Sequence, residues 1–122
     1  MSTGIVVFAH GSRIESANQA VRVVAAELAQ AGGVDRVEAA FLELGQPDLE
    51  AAVALLAGQG IRRIVIIPYF LTLGIHLERD LPAIVGRIAQ IHPGIELVTT
   101  PPLDGHPALV QILLDRAKWG ML

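Results

Sequence analysis

The stretch Ile64–Pro82, IVIIPYFLTLGIHLERDLP, decides how this chain is read. Ile64-Val65-Ile66-Ile67 is a run of β-branched residues that Pro68 stops. A short continuous apolar run of this kind predicts a strand buried on both faces, as in a parallel sheet. The next segment, Tyr69 to Arg79, reads as a loop, yet it carries Tyr69, Phe70, Leu71, Leu73 and Ile75, more apolar surface than a solvated loop needs. His76 stands near its far end. Asp80 then reads as an N-cap, with Pro82 in the first turn of a helix. A strand, an apolar loop carrying an imidazole, and a helix start describe a ligand site beyond the carboxyl end of a strand in an α/β sheet.

The same alternation runs through the rest of the chain. Ile5 to Ala9 is another buried strand, ending at His10-Gly11-Ser12-Arg13, where Ser12 and Glu15 stand at capping-box spacing. The spacing of Val21, Val24, Ala25 and Leu28 predicts a helix with one buried face, running to about Gln30 and ended by Gly32-Gly33. Val34 to Phe41 reads as a strand nearer an edge, because Asp35, Arg36 and Glu38 interrupt it. Pro47 opens a helix of Leu49, Val53, Leu55 and Leu56, closed by Gly58 and Gly60, and Ile61 to Ile67 forms the strand of the opening stretch. The helix after Pro82 carries the stripe Leu81, Ile84, Val85, Ile88 and Ile91 and stops at His92-Pro93-Gly94. Ile95 to Thr99 is a fourth strand. The rigid turn Pro101 to Pro107 leads into a last amphipathic helix with Leu109, Ile112 and Leu113.

This βαβαβαβα order predicts a single α/β domain over residues 1–122. It has three layers, with a four-stranded parallel sheet in the order 2-1-3-4 and helices on both faces. The composition agrees. At 52% hydrophobic and 17% charged residues the chain is not disordered. Without cysteine it has neither disulfides nor thiolate metal sites. A net charge of −3 and the lack of a basic patch exclude nucleic acid as a partner. The longest apolar run, Ile64 to Ile75, is too short to cross a bilayer, so no membrane is expected. The first residues, MSTGIVVFAHG, lack the basic start of a signal peptide, so a cytoplasmic protein is expected.

The predicted order gathers the polar residues that carry chemistry. His10 follows strand one, Glu43 strand two, His76 strand three and His106 strand four, all on the edge where this fold holds ligands. Two imidazoles and a carboxylate suit a borderline divalent metal such as Co²⁺, Ni²⁺, Fe²⁺ or Zn²⁺. They suit general acid–base chemistry equally, since imidazole changes charge near neutral pH. His106 reads as a helix-start residue beside Pro107, and His92 as a helix C-terminal residue. Arg13 and Arg79 flank the candidate ligands and are able to steady a substrate carboxylate. No dinucleotide fingerprint, P-loop or nucleophile elbow occurs. None of the first three strands ends in the aspartate that a response-regulator-like phospho-acceptor would require.

Taken together, Ala9-His10-Gly11-Ser12-Arg13, Phe41-Leu42-Glu43 with Pro47, Pro68-Tyr69-Phe70-Leu71, Gly74-Ile75-His76, Arg79-Asp80-Leu81-Pro82, Pro102-Leu103, Gly105-His106-Pro107 and Leu114-Asp115-Arg116 cover nearly the whole chain in order. They resemble the small CbiX-type sirohydrochlorin chelatases, relatives of SirB within the class II chelatase fold. The resemblance implies a metal chelatase of the lyase class. It would insert Co²⁺, or Fe²⁺ or Ni²⁺, into sirohydrochlorin on a route to cobalamin, sirohaem or a nickel tetrapyrrole. His10 and His76 match the family's metal-handling histidines and Glu43 an acidic residue of that site. These three are the catalytic candidates, His76 first, then His10, then Glu43.

Metallation needs a dehydrated ion, removal of two pyrrole protons and a macrocycle held with its nitrogens exposed. Neutral imidazoles hold metal loosely and accept protons. The wall containing Tyr69, Phe70 and Leu73 is expected to cover the macrocycle face, and Arg13 and Arg79 to meet its carboxylates. No cofactor beyond the metal is needed. The chain has half the length of two-domain members, so a homodimer enclosing the cleft is expected. The alternative is a non-catalytic carrier of metal or tetrapyrrole.

Overall fold

The computed structural model describes residues 3–34 and 36–122. Strands β1 (Thr3–Ala9), β2 (Val37–Phe41), β3 (Arg63–Pro68) and β4 (Glu96–Thr99) alternate with helices α1 (Glu15–Gly32), α2 (Leu49–Gly58), α3 (Gly74–Ile91) and α4 (Ala108–Gly120). All strand pairs are parallel and the order is β2-β1-β3-β4, as the alternation predicts. β1 and β3 lie side by side, with Ile5 opposite Val65 and Val7 opposite Ile67, so the chain leaves in opposite directions from this central pair. Asp35, read in the sequence as part of the second strand, lies outside the described residues, and β2 begins at Val37.

Successive side chains of a strand point to opposite faces, which divides the core in two. On one face Val6, Phe8, Ala40, Ile64 and Ile66 pack beneath α2 and α3, through Ala52, Val53 and Leu56 of the first and Leu77, Leu81 and Ile88 of the second. On the other face Val7, Ala9, Ala39 and Phe41 meet Ala25 of α1. β1 and β2 are buried on both faces along their second halves, Val6 to Ala9 and Ala39 to Phe41. β3 is not. Ile64 and Ile66 are fully buried, whereas Val65 and Ile67, on the α1 side, are only half-buried because α1 reaches no further than β1 and β2.

Four local expectations are corrected. Ser12 and Glu15 form no capping box. The N-cap of α1 is Ile14, whose N–H donates to Ser12 Oγ at 3.0 Å, while Glu15 Oε1 accepts from Asn18. Pro47 precedes α2 rather than opening it. Asp48 is the N-cap and accepts from the Ala51 N–H at 2.8 Å. The segment from Tyr69 to Arg79 is a loop only as far as Leu73. α3 starts at Gly74, which places Pro82 inside the helix and leaves Asp80 mid-helix, accepting from Arg79 Nε at 3.1 Å. A proline there forfeits the bond to the carbonyl four residues back, that of Glu78, a residue on the exposed side of the helix. The last correction concerns α4, expected to be a covering helix. It has no buried residue, and only Leu109 is even half-buried. The sheet therefore carries α1 on one face and α2 with α3 on the other, and α4 stands apart. No helix among the described residues is long and apolar enough to cross a membrane.

Candidate active site

The carboxyl edge of the β1–β2 pair is where chemistry-bearing side chains converge. Parallel pairing continues past the strand ends, since the Leu42 N–H donates to the Ala9 carbonyl at 2.9 Å and the Glu43 N–H to the His10 carbonyl at 3.0 Å. His10 and Glu43 thereby leave the sheet side by side. Gly11 follows with φ +94°, and a Cβ built there would fall 1.6 Å from the Glu43 carbonyl oxygen, so no other residue permits this approach.

The two loops are locked from beneath by Asn18, the one polar residue in the buried set, at 2% exposure. Its Oδ1 accepts from the Ser12 N–H at 2.9 Å. Its Nδ2 donates to the Ser12 carbonyl at 2.9 Å, to the Leu44 carbonyl at 3.0 Å and to Glu15 Oε1 at 3.2 Å. Asn18 thus ties the His10 loop to the Glu43 loop. Arg22, one turn on, reinforces the tie. It donates to the Gln46 carbonyl at 3.0 Å and pairs with Glu15 at 3.1 Å, and its guanidinium lies 5.2 Å from the centre of the Phe41 ring. Glu15 is held below the usual carboxylate range, first by the Asn18 amide and then by Arg22.

Above this base, His10 Nδ1 is 3.1 Å from the Gly11 carbonyl oxygen and Nε2 is 3.8 Å from Glu43 Oε2. A carbonyl oxygen only accepts, so Nδ1 carries the proton in the neutral ring and Nε2 presents its lone pair. A lone pair and a carboxylate oxygen then face each other without a hydrogen bond between them. That arrangement is satisfied by a cation, either a proton on Nε2 or a metal. Two metal–ligand bonds of about 2.0–2.2 Å, bent at the ion, span such a gap. Both side chains are open to solvent, at 58% and 55% exposure.

The remaining candidates are placed as follows. His76 is exposed in the first turn of α3, at the β3 end of the same edge, and not in a loop. Among the described residues no three His, Asp or Glu side chains gather as a metal-holding group. The His10–Glu43 pair is therefore assembled, and His76 stands separately. Arg13 is exposed, and Arg79 is bonded to its neighbour Asp80. Tyr69 is exposed and its N–H extends the β1–β3 pairing by donating to the Phe8 carbonyl at 2.7 Å. Phe70 is half-buried, its ring centre 6.1 Å from that of Phe8, and Leu73 packs on the same core cluster. The large apolar side chains exposed along this edge with Tyr69 are Ile14, Leu44, Leu71 and Ile75. His106 caps α4, its Nδ1 accepting from the Ala108 N–H at 3.0 Å. Asn18 was missed by the sequence reading. Its one signal is a polar residue three positions before Val21 and seven before Ala25, on the stripe that α1 buries.

Four parallel strands in the order β2-β1-β3-β4 with four helices are the fold of the chelatase-like α/β proteins. The family model CbiX matches residues 4–119, and the chain belongs to the CbiX family. A sirohydrochlorin cobaltochelatase from Methanopyrus kandleri is 29% identical, with 93% of this chain and 94% of that protein covered. The chloroplastic sirohydrochlorin ferrochelatase of Arabidopsis thaliana is 33% identical over 94% of this chain, which spans 51% of that protein. Among solved structures, a CbiX protein from Marinobacter aquaeolei superposes with a TM-score of 0.86 at 27% identity, covering 98% of this chain and 97% of that one. The sirohydrochlorin chelatase SirB from Bacillus subtilis subspecies spizizenii, in complex with cobalt, superposes with a TM-score of 0.88 at 26% identity, covering 97% of this chain and 50% of SirB.

Proposed function

We propose that this chain is a sirohydrochlorin chelatase that inserts a divalent metal, cobalt or iron, into its macrocycle. Membership of the CbiX family and relatives named for cobalt and iron insertion support the reading. The observation that carries it is His10 Nε2 standing 3.8 Å from the carboxylate of Glu43 at the strand ends. Insertion requires an ion held weakly enough to be released and a base for each pyrrole proton. Two exposed donors meet the first requirement, and His10 and His76 the second, with Glu43 balancing the charge of the ion or of an imidazolium.

The macrocycle itself is flat, apolar on its faces and edged with carboxylates. Tyr69, Leu71 and Ile75 offer it an apolar surface, and Arg13 with the free end of Arg79 offers partners for its rim. Phe70 and Leu73 support that surface from the core side. A ligand of this size is normally buried over most of its area, while the His10–Glu43 edge is open. A second copy of the chain facing this edge would close it, which is why the functional unit is proposed as a homodimer. Incubating the protein with sirohydrochlorin and, separately, Co²⁺, Fe²⁺ and Ni²⁺ tests the reading by absorbance. Multiple turnovers above the non-enzymatic rate are expected. Stoichiometric binding that then stops would replace the chelatase with a carrier.

A further inference from the structure

We propose that Ile14 and Leu44 are substrate-contacting residues that centre the macrocycle over the end of β1, above the His10–Glu43 pair. The inference rests on the chelatase reading of the preceding section. Both residues break a local rule. Isoleucine is among the poorest N-caps, yet Ile14 is the N-cap of α1 and its side chain caps nothing. Leu44 is the one non-glycine residue with a positive φ, 58°, among the described residues. Glycine or asparagine adopts that conformation at less cost than leucine. Packing compensates neither residue, since Ile14 is 66% exposed and Leu44 48%. Strain and rule-breaking of this kind cluster at functional sites.

The two residues are also held together beside the site. Leu44 directly follows Glu43, and Ile14 closes the loop that His10 opens. Asn18 Nδ2 donates to the Ser12 carbonyl at 2.9 Å and to the Leu44 carbonyl at 3.0 Å, so both loops meet at that one nitrogen. Ile14 is fastened to the same point, its N–H donating to Ser12 Oγ at 3.0 Å. The Leu44 loop is already pressed on the core: a Cβ on Gly45 would lie 2.9 Å from the Phe41 ring. Two large apolar side chains are therefore fixed in solvent at the rim of the one imidazole–carboxylate pair.

Their place relative to the other apolar residues gives them a task. Tyr69, Leu71 and Ile75 follow β3, on one side of β1, whereas Leu44 follows β2, on the other. A ring resting on the β3 group alone would sit to one side of His10. Supports at the ends of both flanking strands stand on the order of 10 Å apart, since neighbouring strands are ~4.8 Å apart. A flat ring of four pyrroles straddles such a span, with its central nitrogens over the end of β1. Insertion needs that registration, because a misplacement of about 1 Å can cost ~10²-fold in rate.

The test is Ile14→Ser combined with Leu44→Asn. Serine is a good N-cap and asparagine tolerates the left-handed conformation, so the urea midpoint of unfolding should match or exceed the parent's. Binding of metal-free sirohydrochlorin, followed by absorbance, should nevertheless weaken by about tenfold or more. kcat/KM for Co²⁺ insertion should fall at least as far, while Co²⁺ binding by calorimetry stays parental. Ile14→Val with Leu44→Met keeps the apolar surface and should restore both. Parental sirohydrochlorin binding and turnover in the polar variant overturn the proposal. So does a loss of activity that comes with a lower midpoint or a changed mass in light scattering, which would assign the pair to packing within or between copies. The metal-free titration separates this inference from the reading beneath it. A parent that binds sirohydrochlorin without turnover loses the chelatase, yet weaker binding by the polar variant keeps the two contacts. A parent that binds no sirohydrochlorin overturns both.

Discussion

His10 Nε2 lies 3.8 Å from Glu43 Oε2, and the same two residues are joined through their backbones by a 3.0 Å bond from the Glu43 N–H to the His10 carbonyl. If these side chains, held by one pair of loops, meet one ion they act as a unit, and their losses should not add. His10→Ala and Glu43→Ala should each lower chelatase turnover, the histidine change by about 10²–10⁴-fold. The double variant should be little worse than His10→Ala alone. Single-turnover absorbance with Co²⁺ and sirohydrochlorin measures all three. A double variant whose loss equals the product of the singles would mean that the two side chains act separately.

His76 tests a different link. It is exposed in the first turn of α3 and outside the core, so its removal should leave stability nearly unchanged. If it takes a pyrrole proton or receives the ion, His76→Ala should cut turnover by about 10²–10⁴-fold, with the urea midpoint of unfolding held. Parental turnover in a folded variant would remove His76 from the mechanism.

Asn18 is expected to matter for both fold and activity, although it touches no substrate. Asn18→Ala strips partners from the part-buried Ser12 N–H and from two carbonyls, a loss of about 1–3 kcal/mol. It also frees the His10 loop from the Glu43 loop. Urea unfolding should show the first effect. The second should appear as weaker Co²⁺ binding in a calorimetric titration of protein that is still folded.

Gly11→Ala should be worse than its size suggests. The added methyl meets the Glu43 carbonyl oxygen, and φ +94° is strained for any side chain. Relieving the clash separates His10 from Glu43, so activity and stability should fall together, the latter by about 1–3 kcal/mol or more. An alanine variant with parental unfolding and turnover would show that the loops move apart freely.

Acid should act through Glu15. The Asn18 amide, then Arg22, hold its carboxyl below the usual range in the folded protein. A lowered folded value contributes stability above the unfolded value of about 4.3, and that contribution is lost as pH falls through the lowered value. Glu15→Gln should therefore be less stable than the parent near neutrality, with the difference closing in acid. The side chain is exposed, so the effect is small and fades in high salt. Unfolding midpoints of parent and variant across this range, at low and high salt, measure it.

The sheet was legible because period and punctuation agree along it. Four apolar runs ended by polar turns and separated by helical stripes admit few topologies, and the order β2-β1-β3-β4 follows. The edge holding His10, Glu43 and His76 follows from the same order. Helix starts were read less well, since they depend on which side chain reaches an N–H. Pro82 looks like a first-turn residue, yet it sits mid-helix on the exposed side, and α3 begins at Gly74. Ser12 and Glu15 have capping spacing, but Asn18 claims Glu15. α4 shows why pattern alone does not locate a partner: its apolar stripe is real, yet the helix buries none of its residues.

The openness of the His10–Glu43 pair has a consequence for which ion is used. Both side chains are more than half exposed, and no third His, Asp or Glu joins them among the described residues. Within one copy, an ion held by these two donors alone would keep most of its water, and neither cage size nor donor geometry would distinguish cobalt from iron. What remains is intrinsic affinity, which separates neighbouring first-row ions only modestly at a site of this kind. If the pair alone holds the ion, selection passes from the protein to the cell's supply. The free concentration of each ion sets the occupancy, and the same chain would yield a cobalt product in one cell and an iron product in another.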